Sequence, residues 1–145
     1  IPNYRYKVWM IRLLMIYVLI FLVVVLFLAI ASITFYRIDI LEMAYQLMYP
    51  IIFLGSMAFM FSTVVKNGNG TAVLMVLIGV ALLILMEPIE RTMWNVFLNP
   101  FQIPTNFNEL FWQSLIVKNR IFLGTGILVF MLYGLYNLQK REKFI

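Results

Sequence analysis

Four uninterrupted apolar runs, each long enough to cross a bilayer, constrain this chain more than any other feature. They cover residues 13–36, 43–65, about 69–87 and 121–139. A helix needs roughly 20 apolar residues, within a range of about 17–25, to span the hydrocarbon core. The first run is too long for the apolar core of a cleaved leader, which is roughly 7–15 residues. Barrel strands would alternate apolar and polar residues over segments of about ten. These runs are continuously apolar, and an isolated run in lipid satisfies its backbone hydrogen bonds only as a helix. The expected fold is therefore all-α: a polytopic membrane domain of four transmembrane helices occupying residues 1–145.

Composition removes the soluble alternative. Hydrophobic residues make up 64% and charged residues 12% of the chain, against roughly 45–50% and 25% in soluble domains. A small soluble domain buries only about two-thirds of its surface and could not hide so much apolar area. The chain has no Cys and no His, which excludes disulfides, thiolate chemistry and the usual zinc and haem ligand sets. No cofactor or metal is expected in this chain, and no nucleic-acid partner. The six acids, Asp39, Glu42, Glu87, Glu90, Glu109 and Glu142, are scattered, so no catalytic constellation forms and no enzyme is expected. Runs one, two and four contain no charge, which argues against an ion channel or proton carrier of the usual type.

The flanking charges predict topology. Arg5, Lys7 and Arg12 precede the first run, Lys66 follows the second, and Lys140, Arg141 and Lys143 follow the last. Arg37, Arg91, Lys118 and Arg120 lie on the opposite side. Cations concentrate in cytoplasmic segments, so both termini are expected in the cytoplasm. Tyr4, Tyr6, Trp9, Tyr36, Tyr45, Tyr49, Trp94 and Trp112 fall near the expected interfaces, where amphipathic rings are favoured. Pro50 suits the first turn of the second helix, and Glu87-Pro88 should end the third.

Residues 88–118 are neither a tight turn nor a polar loop. Ile89 to Leu98 mixes charges with large apolar groups, Pro100 and Pro104 break the chain, and Asn108 is a candidate N-cap for a helical resumption. Two short half-apolar helices around a break predict a re-entrant or interfacial helical hairpin before the last span.

The order of these parts resembles the second half of an ABC-2 type permease, the membrane subunit of ATP-driven exporters. The basic entry from Tyr6 to Arg12 is similar to the start of that half. The segment Phe53 to Lys66 followed by Asn67-Gly68-Asn69-Gly70 is similar to its next helix and cytoplasmic turn. Leu98-Asn99-Pro100-Phe101 is similar to an external Asn-Pro element, and Gly134 to Ile145 to a last helix ending in an Arg-Glu-Lys tail. Ile1 in place of Met fits a piece of a longer permease, whose first two helices and coupling helix would precede it. The resemblance implies an ABC ATPase subunit, a second permease copy, the bilayer of a cell (inner) membrane, and ATP hydrolysis on the separate subunit. A different class, a small accessory subunit of a respiratory or secretion complex, fits four spans equally well.

Three groups of residues are candidate sites. Glu87, Glu90 and Arg91 are ionisable groups at the end of a span, either a solvated pair at the interface or an external gate or substrate contact. Lys66, Gly68 and Gly70 are either an orienting turn or a contact to a nucleotide-binding partner; they lack the spacing and Lys-Ser/Thr of a P-loop. Lys140, Arg141 and Lys143 orient the chain or touch anionic lipid headgroups, at about 1 kcal/mol per cation. Gly124, Gly126 and Gly134 permit close helix approach within the chain or at a dimer seam. The ten Met and thirteen Phe are packing and lipid-facing residues.

Overall fold

The computed structural model describes residues 2–35, 37, 39–101, 103 and 105–142, with side chains from Lys7 to Leu138 within those limits. Among them the chain is all-helical, with four helices long and apolar enough to cross a membrane. They are α1 (Pro2–Thr34), α2 (Ile40–Val65), α3 (Gly68–Ile89) and α4 (Glu109–Glu142).

Two of these helices extend well beyond the apolar runs that announced them. α1 continues N-terminally through Lys7 and Arg12, and α4 begins twelve residues before Ile121, running through Lys118 and Arg120. Charge marks where a helix leaves lipid, not where it stops, because its own hydrogen bonds continue into water. At about 1.5 Å per residue α4 is roughly 50 Å long, against a hydrocarbon core of about 30 Å. Asn108 caps it as expected: its Oδ1 accepts from the Leu110 N–H at 3.3 Å, and its carbonyl accepts from Trp112 N–H at 2.9 Å.

Both proline expectations are corrected. α2 starts at Ile40, so Pro50 lies inside the helix, not in its first turn. Its missing N–H leaves the Gln46 carbonyl without the usual partner, a loss that membrane helices tolerate when neighbouring groups compensate. α3 runs through Glu87 and Pro88 to Ile89. Proline disfavours helical backbone in the residue before it without forbidding it.

α2 is the hub of the bundle. It packs against α1, α3 and α4, most extensively against α4, and among the described residues α2 is the one helix whose backbone runs close to α3. Two polar contacts show the register of the α2–α4 seam. Arg120 reaches Gln46 and Asn137 reaches Thr63, both pairs separated by 74 positions. A constant offset means that α2 and α4 run parallel, with α1 and α3 antiparallel to α2. Trp9, Lys66 and Leu138 line one cleft, so the beginning of α1, the α2–α3 turn and the late part of α4 share one end. The α1–α2 loop, described at residues 35, 37 and 39, and the α3–α4 connector, described at residues 90–101, 103 and 105–108, occupy the other.

The seam is a ladder of phenylalanines against glycines. Phe53 sits in the core with Leu123 and Val96, its ring 5.8 Å from Phe122 and 5.4 Å from Phe130. A Cβ on Gly126 would strike the Phe53 ring, and one on Gly134 would meet Phe59 Cε1 at 2.6 Å. The glycine expectation therefore divides. Gly126 and Gly134 serve packing within the chain, whereas a Cβ on Gly124 meets nothing within 4 Å. α1 joins through Tyr17, whose hydroxyl lies 3.4 Å from Ser56 Oγ, and through Trp9, which packs on Phe59 at 6.3 Å. Outside these contacts α1 and α3 present apolar side chains over most of their surface: Leu14, Leu19, Leu26, Val76, Leu83 and Ile84 are all at least half exposed. Such surface belongs in lipid or against another membrane helix.

The turn between α2 and α3 is built from Lys66 and Asn67, not from the glycines expected to form it. Lys66 has φ 62° and ψ 20°, and its N–H bonds the Ser62 carbonyl at 3.1 Å, closing α2 in a left-handed cap. Asn67 caps α3 by accepting from Asn69 N–H at 3.0 Å. Gly68 and Gly70 are already helical, and Gly70 is where Val65 Cγ1 would meet a Cβ at 2.7 Å. A left-handed conformation costs an L-residue about 1–2 kcal/mol and glycine almost nothing. Lys66→Gly should therefore raise stability by about 1 kcal/mol, seen as a higher midpoint of detergent-induced unfolding; an unchanged or lower midpoint would contradict the cap.

Candidate functional site

The connector between α3 and α4 is folded and tethered. Glu90 ends α3 in helical conformation, and the chain then turns repeatedly. Thr92 N–H bonds the Ile89 carbonyl at 3.0 Å, Asn95 N–H the Thr92 carbonyl at 3.3 Å, and Leu98 N–H the Asn95 carbonyl at 3.3 Å. Two asparagines shape these turns with their own side chains, a standard role for this residue. Asn95 Oδ1 accepts from Phe97 N–H and Asn99 Oδ1 from Phe101 N–H, each at 3.0 Å. The expected helical hairpin thus has unlike arms. Residues 90–101 are successive turns instead of a helix, because Asn95 and Asn99 divert the backbone hydrogen bonds and Pro100 has no N–H to offer. The second arm, Glu109 to Lys118, is the first part of α4 itself.

Asn119 and Trp112 of α4 hold the connector down, and Trp94, Val96 and Leu98 of the connector pack onto the bundle. Asn119 is fully buried and donates from Nδ2 to the carbonyls of Met93 and Asn95, both at 2.8 Å. Trp112 is buried beneath the connector, with its indole N–H directed at the Pro100 carbonyl at 3.4 Å. It is a packing residue, not the interfacial ring expected from its position. Trp94 stacks edgewise on Phe122 at 5.0 Å and stays half exposed. Val96 and Leu98 are buried against the bundle.

Between the connector and the start of α4 lies an open cleft of about 460 Å³, lined by Glu90, Arg91, Asn95, Asn99, Thr105 and Trp112 together with apolar groups. This is within the size range of small-molecule sites, roughly 300–1,000 Å³. Two of the three candidate residues at this end, Glu90 and Arg91, share its wall. Glu87 is exposed on α3 and does not line it. The Arg91 guanidinium lies 5.8 Å from the Phe107 ring centroid, a cation–π contact across the connector. α3 ends before Arg91, so Glu87 and Arg91 do not share the helical face that their spacing suggested.

Behind this cleft runs a polar chain that the sequence reading did not single out. Asn119 Oδ1 accepts from Arg120 Nη1 at 3.0 Å, and Arg120 Nε donates to Gln46 Oε1 at 2.9 Å. The guanidinium carbon lies 4.8 Å from the Tyr49 ring centroid, and the Tyr49 and Tyr45 hydroxyls are 2.6 Å apart. The connector, α4 and α2 are therefore joined through one set of hydrogen bonds. The available signal was an amide inside an apolar run: Gln46 in the second and Asn137 in the fourth, each bonded across the seam. Amides in membrane helices find interhelical partners.

At the opposite end, Lys66 and Gly68 line a cleft of about 180 Å³ with Trp9, Ser62, Thr63 and Leu138. Gly70 lies one turn into α3 and outside it. Lys143 and the side chains of Lys140 and Arg141 lie outside the described residues. Among the described residues no group of three or more acids could hold a metal ion. Comparison with protein-family models, curated proteins and solved structures finds no match.

Proposed function

We propose that this chain is a membrane-spanning permease segment of an ATP-driven exporter of the ABC-2 type, supplying part of a substrate path. The observation that carries this reading is the difference between the two ends. One end has a minimal turn at Lys66 and Asn67; the other has a folded, side-chain-tethered connector over a mixed polar and apolar cleft. A membrane bundle that served only as filler would not need buried asparagine bonds to shape an external loop. In this reading the termini and Lys66 face the cytoplasm, as the cation distribution favours. Lys66 then faces an ATPase subunit, and Glu90 and Arg91 meet substrate or gate its exit. The apolar faces of α1 and α3 leave room for a second permease copy. The substrate is amphipathic, since the cleft wall offers one acid, one base, amides and large apolar groups.

The test is affinity purification of the full protein from its native membranes. A nucleotide-binding subunit should co-purify, and Lys66→Glu should reduce its recovery several-fold while the protein still inserts. Transport should stop when that subunit is deleted. An intact protein that is active without a nucleotide-binding partner would overturn the reading. Recovery inside a larger complex that weakens when the chain is deleted would instead establish the accessory role.

A further inference from the structure

We infer that the groove between α1, α2 and α4 holds an acyl chain of an anionic phospholipid whose phosphate sits on Arg120. The groove has a volume of about 400 Å³ and a wholly apolar surface, with Tyr17, Phe21, Met48, Tyr49, Ile52 and Ile127 in its wall. Tyr49 belongs both to that wall and to the seat of Arg120, so the guanidinium packs on a side chain of the groove's wall.

Two independent features specify the headgroup. The first is depth. Ile121 to Gln139 carries no charge, and the twenty positions from Arg120 to Lys140 rise about 30 Å, the thickness of the hydrocarbon core. Arg120 is thus held at the boundary between acyl chains and headgroups, with the apolar groove running from it toward the membrane centre. The second is charge. A cation at such a boundary is attracted to anionic headgroups, and among the described residues the titratable neighbours of Arg120 are Tyr49 and Tyr45. Its protein hydrogen bonds use Nε, to Gln46, and one Nη1 proton, to Asn119. A guanidinium has five N–H donors in a planar fork, so the donors on Nη2 have no protein acceptor among the described residues. A phosphodiester offers paired oxygens matched to that fork. Gln46 and Asn119 fix the guanidinium in place, so little side-chain entropy is lost on binding. This assignment does not depend on the transport reading.

The experiment is native mass spectrometry of the full chain released from detergent, after equilibration with equal amounts of phosphatidylglycerol and phosphatidylcholine of the same acyl composition. The expected result is one retained phosphatidylglycerol per chain, with phosphatidylcholine at least several-fold weaker. Arg120→Gln should weaken phosphatidylglycerol retention about tenfold, equivalent to ~1.4 kcal/mol, and Ile52→Trp, which fills the groove, should weaken it without altering charge. Lys118→Gln, which removes an exposed cation two residues away, should leave retention unchanged, and circular dichroism should show the same helix content in all three. Equal retention of the two lipids, or phosphatidylglycerol retention unmoved by Arg120→Gln and Ile52→Trp, overturns the site. Competition by soluble glycerophosphoglycerol at comparable concentration also overturns it, because the groove would then contribute nothing.

Discussion

Asn119→Leu is expected to lower stability by about 2–3 kcal/mol and to release the α3–α4 connector while the rest of the bundle stays folded. Asn119 has one acceptor and two donor protons on its side chain, and all three are used: Nδ2 binds the Met93 and Asn95 carbonyls and Oδ1 binds Arg120. Leucine matches its size but offers none of these. The Asn95 carbonyl would keep its bond from Leu98 N–H, so the main penalty is the orphaned Met93 carbonyl, at about 1–3 kcal/mol when buried. Arg120 would also lose one of the two bonds that orient it. Hydrogen exchange separates this from general loosening. The amides of Phe97 and Leu98 should exchange faster, whereas those of α2 around Phe59 should not. Asn119→Asp makes the same point from the other side: an ionised carboxylate accepts only, so it cannot serve the two carbonyls even though it is nearly isosteric. Unchanged exchange at Phe97 and Leu98 in both variants would show that the connector holds itself.

The four spans could be read directly from the amino-acid sequence because length alone decides them. In lipid an apolar run has no competing secondary structure, so no periodicity is needed and none is present on the all-round apolar α3. Boundaries were harder for a reason of the same kind. Lys118 and Arg120 end the apolar run but not α4, since a helix crosses the headgroup region without a break. The left-handed Lys66 was hidden by the adjacent Gly68 and Gly70, which are the residues that ordinarily take such a conformation. There Gly70 serves a close approach to Val65 instead, while a Cβ on Gly68 would meet nothing within 4 Å. At the candidate site, Glu90 and Arg91 were found because charges at a membrane boundary stand out. Asn119 was not, because its partners lie 24 and 26 positions away and its neighbours Lys118 and Arg120 make it look like part of a polar flank. Only the fold of the connector over α4 gives that asparagine its role.

The seam between α2 and α4 yields the last and most selective expectation. Gly126→Ala and Gly134→Ala should each cost about 1–3 kcal/mol, the usual range for forcing extra volume into a packed interior, whereas Gly124→Ala and Gly79→Ala should be close to neutral. All four replacements add one methyl to a membrane helix, so hydrophobicity and helix propensity predict the same small gain for each. Geometry predicts otherwise. The new Cβ at Gly134 would lie 2.6 and 2.8 Å from Phe59 Cε1 and Cδ1, and the one at Gly126 would press on the Phe53 ring. The Cβ atoms at Gly124 and Gly79 would meet nothing within 4 Å. Neither ring can swing away freely, because Phe53 is enclosed by Phe122 and Phe130, and Phe59 by Trp9. A second substitution identifies the cause. Phe59→Leu alone should destabilise by opening a cavity, yet in combination with Gly134→Ala it should restore part of the loss, giving a coupling of about 1 kcal/mol or more between residues in direct contact. Phe53→Leu with Gly126→Ala should behave in the same way. If the two singles simply add in both pairs, the rings and the glycines do not share the space assigned to them, and the parallel register of α2 on α4 is wrong at that level. If they couple, the glycines of α4 are the sockets that let its backbone approach α2 closely enough for Arg120 to reach Gln46.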